Sequence, residues 1–205
     1  MPVTDTDFWT DAVRITDSTP VPRGMSRPTV RRSDLAGWAG HGCCASHSRF
    51  CWGLRLYPVR TPTGTPITWA PANPEIGERE ALAAMLEDDA DLVAVREAIP
   101  LITDKGFAAK SFEKELAERG VELLRPSRTC EKQRHGEPML KKVRQLIESV
   151  NDPLKGQLDL EHHDGRTFEG VAVRVAQRVL AMAAAIWHNH QTGAPITRSL
   201  IAYDH

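Results

Sequence analysis

The stretch "IPLITDKGFAAKSFEKELAERGVELLRP", residues 99–126, decides the fold. It opens on an apolar, strand-like run, IPLIT (99–103), that ends at Asp104. KSFEKELAERG (110–120) then has the spacing of an amphipathic helix, with Gly120 as its stop. VELLRP (121–126) returns to strand character. Working outward, AVRIT (12–16) reads as a short buried strand ending at Asp17. FCWGLRLYPVR (50–60) and PITWAPA (66–72) read as strands joined by the turn TPTGT. Residues 78–98 are helical in composition, and a long last helix spans about 167–191. Between Ser18 and about His47 the chain is polar and rich in Pro, Gly and Arg. Strands followed by alternating helices and strands predict a mixed α/β sheet, with no internal repeat.

Composition bounds the function. The 205 residues are 41% hydrophobic and 26% charged, enough for one sizeable core. The formal charge of −1 gives no global signal for nucleic acid. Charge is uneven, however. Residues 75–97 hold eight acids against two bases, whereas 121–144 hold seven bases against three acids. Arg23, Arg27, Arg31 and Arg32 form a second basic stretch. Such patches bind phosphate or are solvated surface. The acidic opening MPVTDTDFWTDAVR is unlike a signal peptide, and VLAMAAAIW (179–187) is too short to span a bilayer. The expectation is a cytoplasmic protein with four reduced cysteines and no membrane partner.

Asp17 and Asp104 each directly follow an apolar strand. In α/β folds, ligands sit beyond the carboxyl ends of strands, provided the strands are neighbours. Each aspartate also suits a turn or a helix N-cap. A third carboxylate lies in VRQLIESVNDPLKG (143–156). Val143, Leu146, Ile147, Val150 and Leu154 form an apolar helical stripe, with Arg144, Glu148 and Lys155 beside it. Alone, those charges read as a solvated salt-bridge face, worth roughly 0.3–0.5 kcal/mol per pair. With Asp17 and Asp104 they suggest otherwise. Three acids at one sheet edge repel unless cations neutralise them, and hard divalent ions suit an all-oxygen site.

These residues carry a resemblance. ITDSTPV, LITDKGF and RQLIESVNDPLK together resemble the three acidic motifs of bacterial insertion-sequence transposases of the DDE type. Arg144, Glu148 and Lys155 match the spacing of that family's tyrosine–arginine–glutamate–lysine signature. Residues 50–70 resemble the paired strands between the first two acids, and the likeness runs from about residue 12 to the C-terminus. The resemblance implies a ribonuclease H-like mixed sheet flanked by helices. It implies two Mg²⁺ or Mn²⁺ ions held by Asp17, Asp104 and Glu148. Phosphate contacts would come from Arg144 and Lys155, joined by Lys141 and Lys105. The partners would be element ends and target DNA, with a homodimer in the DNA complex and nucleoid association when bound.

Departures accompany the match. Lys141 stands where the signature has tyrosine, which loses aromatic stacking. Pro153, between Glu148 and Lys155, kinks the helix or starts a new one after Asp152. Only 16 residues precede Asp17, so the expectation is one catalytic domain over 1–205, with a core at about 12–160. On that reading the copy is truncated, with little end recognition and reduced or no activity.

The alternative is a non-catalytic DNA-binding module or remnant. In it, structural zinc would sit among His41, Cys43, Cys44, His47 and Cys51, although the spacing fits no common zinc knuckle. His162 and His163 read as exposed loop residues, and Met182 and Trp187 as core.

Overall fold

Twelve residues, Arg49–Arg60, form the axis of the sheet, strand β4. β1 (Arg14–Thr16) and β2 (Thr19–Gly24) run one after the other along one edge of it, antiparallel, with a break at Asp17 and Ser18. β3 (Gly40–Cys44) and β5 (Pro66–Ala72) share its other edge, also antiparallel. The far edge of β1 pairs in parallel with β6 (Ile99–Ile102), and β6 pairs in parallel with β7 (Val121–Leu124). The result is a seven-stranded mixed sheet. The computed structural model describes residues 13–24, 30–44, 49–89, 99–134, 137, 140 and 151–194.

Alternation along β4 sorts the two layers. Trp52, Leu54 and Leu56 face one way, onto Leu154, Leu160 and helix α3 (Phe168–Thr192). Tyr57 and Val59 face the other way, onto α1 (Glu78–Asp88) and α2 (Lys110–Glu118). α1 contributes Leu82 and Met85 to that layer, and α2 contributes Phe112 and Leu116. α2 ends as its sequence demands: Gly120 adopts φ 77°, open to a residue without Cβ. Thr167 caps α3 by accepting from the Gly170 N–H at 3.0 Å.

α3 is long and apolar enough, by composition, to cross a membrane. Here one face, Val171, Val175, Val179, Met182 and Ile186, is committed to the sheet. Trp187 sits one residue past that face and is 41% exposed, which corrects the expectation that it is core.

Two strands lie in the stretch read as irregular. β2 carries Pro20 and Pro22 at alternate positions, so their missing N–H groups fall on one edge. That edge faces away from β4 and has no strand partner among the described residues. A close approach supports the pairing: a Cβ at Gly53 would lie 2.4 Å from the Val21 carbonyl oxygen.

His163 is the second correction. It is buried, with Nδ1 accepting from the Gly165 N–H at 3.1 Å and Nε2 therefore donating to the Pro22 carbonyl, also at 3.1 Å. His162 is exposed, as expected, beside Asp159. At Pro153 the chain changes from α to π winding: Asn151 and Asp152 are helical, then Pro153–Gln157 form a π turn closed by Leu158 N–H to the Pro153 carbonyl at 2.8 Å.

Candidate active site at the ends of two parallel strands

In the register of β1 and β6, Ile15 is the partner of Ile102. Asp17 and Asp104 each lie two residues further on, so the chain delivers both carboxylates to the same end of two adjacent strands. Ile15 and Ile102 also share a small buried cluster with Leu140. By the two-residue period, the aspartates belong on that same face.

Each carboxylate is held locally. Asp17 Oδ1 accepts from the Ser18 N–H at 2.8 Å. Its Oδ2 accepts from Asn151 Nδ2 at 3.3 Å. Asn151 Oδ1 in turn accepts from Arg60 Nη2 at 2.7 Å, and Arg60 is only 1% exposed. Burial raises the Asp17 pKa above the usual carboxylate value, the Arg60 charge and the Ser18 hydrogen bond oppose this, and the Glu78 and Asp104 charges add to it. Asp104 is exposed and caps the 3₁₀ turn Lys105–Phe107, its Oδ1 accepting from the Gly106 N–H at 2.7 Å. The cap foreseen for a lone aspartate is therefore real, and it leaves Oδ2 without a hydrogen bond among the described residues.

Glu78, which sequence reading missed, borders the pair. It begins α1, accepts a hydrogen bond from Ser18 Oγ, and lies 3.5 Å from Arg55 Nη1. A Cβ at Gly106 would meet Asp104 Oδ1 at 2.9 Å and Glu78 Oε2 at 3.2 Å. Its sequence signal is only an acid in the first turn of a helix, which usually complements the helix dipole.

Glu148, Arg144 and Lys141 lie outside the described residues. Lys155 is half-buried on the π turn, and Lys105 is exposed beside Asp104. The chain enters the segment containing Glu148 at Leu140, packed with Ile15 and Ile102, and leaves it at Asn151, bonded to Asp17.

The donor chemistry suits hard divalent cations: carboxylate oxygens on adjacent strand ends, with Asp104 exposed. Among the described residues, no three His, Cys, Asp or Glu side chains are placed to hold a metal together.

The basic stretch at 121–144 is less free than its composition suggests. Arg125 is 3% exposed and bound to Glu113 and Glu131, each at 2.7 Å, and Arg134 also binds Glu113. These acids neutralise two of its seven bases. Two of the zinc-type residues diverge as well. His41 pairs with Trp52 and Cys51 with Gly42, so alternation sends His41 and Cys51 to opposite faces of the β3–β4 ladder.

Residues 9–168 match the transposase DDE domain family, and the chain belongs to it. Among solved structures, a piggyBac transposase synaptic complex with hairpin DNA, determined by cryo-electron microscopy, is similar with a TM-score of 0.39 and 12% identity. That match covers 59% of this chain and 24% of the other, so the chain spans about a quarter of that protein's length. A comparison with curated proteins returned no match.

Proposed function

We propose that this chain is the catalytic domain of an insertion-sequence transposase, hydrolysing phosphodiester bonds at element ends and joining the freed 3′-hydroxyl to target DNA. One observation carries the reading. The parallel register of β1 and β6 presents Asp17 and Asp104 side by side, with Leu140 and Asn151 bracketing Glu148 in sequence on the same face.

Asp17, Asp104 and Glu148 would hold two Mg²⁺ or Mn²⁺ ions. When bound, the ions supply the Lewis acid for the attacking and leaving oxygens. The protein's own part is positional. Asn151 and Ser18 orient the two Asp17 oxygens, and the Gly106 N–H orients Asp104. The Arg60 charge opposes the rise in the Asp17 pKa that desolvation causes. Arg144, Lys155, Lys141 and Lys105 would steady DNA phosphates, which fixes register without reading sequence. A homodimer would bring two such sites to paired element ends.

The test is nicking of supercoiled plasmid carrying candidate terminal repeats, with Mg²⁺ or Mn²⁺. Cleavage that needs the cation and disappears in Asp104→Asn supports the reading. Cleavage equal in that variant contradicts it. The zinc-module alternative predicts stoichiometric zinc in the purified chain and no cleavage.

A further inference from the structure

Glu78 reaches three segments from the start of α1. Its Oε1 takes the Ser18 hydroxyl, at the break between β1 and β2, and pairs with Arg55 of β4. Its Oε2 faces the point where a Gly106 side chain would begin, opposite Asp104 Oδ1. The backbone itself lies at the start of α1. Ser18 follows Asp17 directly, so Glu78 fastens one side of the turn while Asn151 holds the Asp17 carboxylate on the other. Arg55 and Glu78 are both about a quarter exposed, at the rim of the site. Glu78 is one of the partners of Arg55, which also bonds the Tyr57 side chain.

We propose that Glu78 is a positioning residue of this site, fixing the turn that presents Asp17 and restraining Arg55, so that its charge favours cation binding and opposes DNA binding. The proposal rests on the metal-site reading above. Removing the charge has opposite consequences for the two ligands. The cation loses a nearby anion and a firmly held Asp17. DNA loses a repulsive charge. Damage to the fold, in contrast, weakens both.

The experiment measures Mn²⁺ affinity by calorimetry and DNA affinity, without metal, on the full chain. Glu78→Gln keeps the shape and a hydrogen-bond acceptor for Ser18. It should weaken Mn²⁺ binding about fivefold and tighten DNA binding about threefold. Unchanged Mn²⁺ affinity, or both affinities falling together in a folded variant, overturns the proposal. Should Glu78→Gln not fold, Ser18→Ala decides. A loss of about threefold in Mn²⁺ affinity with no gain in DNA affinity supports the role, and unchanged Mn²⁺ affinity overturns it. Asp104→Asn separates this proposal from its premise. If that variant binds Mn²⁺ as the wild type does, the metal-site reading itself fails. If it loses Mn²⁺ while Glu78→Gln does not, only the role of Glu78 fails.

Discussion

Arg60 and Asn151, 91 residues apart, are joined by a 2.7 Å hydrogen bond beneath the candidate site, and both are buried. Asn151 spends its amide on Asp17 and its carbonyl on Arg60, so neither half is replaceable by an apolar group. Asn151→Ala should lower stability by about 1–3 kcal/mol, since it leaves buried polar groups without this partner. Arg60→Met should lower it by about 1–3 kcal/mol, because buried Asn151 loses its partner and the half-buried Asp17 loses a nearby cation. Urea unfolding measures both. In the double variant the two losses should fall short of additive, as expected within one network.

Asp104→Asn should be structurally silent. Asparagine caps as well as aspartate, so the bond to the Gly106 N–H survives. Thermal unfolding should show a change within about 0.5 kcal/mol, while cation-dependent nicking disappears. A large drop in melting temperature would mean that the carboxylate is structural.

His163 should make stability sensitive to acid. Burial pushes its pKa below the ordinary 6.5, and protonation would set a second N–H against that of Gly165. The unfolded chain binds this proton more readily than the folded one. Stability contributed by His163 is therefore complete above about 6.5 and lost as pH falls from there through its lower folded value. Urea midpoints between pH 7.5 and 5 should decline, and His163→Gln should flatten that decline. Equal slopes in the two proteins would remove His163 as the cause.

Arg144 and Lys155 should each account for about one phosphate contact. Arg144→Ala or Lys155→Ala should reduce the salt slope of DNA affinity by about one and weaken all sequences alike. Arg125→Ala should instead destabilise the fold, because that side chain is locked between Glu113 and Glu131.

Much of the candidate site was legible because its residues sit at element ends that apolar runs mark. IPLIT and AVRIT announce their strands, and an aspartate follows each. Neighbourhood was not legible, since only tertiary pairing makes β1 and β6 adjacent. β2 was hidden by its two prolines, which signal irregular chain although an outward edge tolerates them. Glu78 resembles any acid in a first helical turn, and nothing local marks its reach to Ser18. His163 and Trp187 were misassigned for a shared reason. Hydrophobicity alone does not say which side of a loop or helix the sheet will cover.

The central claim is that three carboxylates, Asp17, Asp104 and Glu148, hold divalent cations together. Counting Mn²⁺ bound at equilibrium by the purified chain and by Asp17→Asn, Asp104→Asn and Glu148→Gln, using the electron paramagnetic resonance signal of free Mn²⁺, tests it most directly. The account predicts up to two ions for the wild type and loss of at least one in every variant. Glu148→Gln binding the same number of ions with the same affinity as the wild type would contradict it.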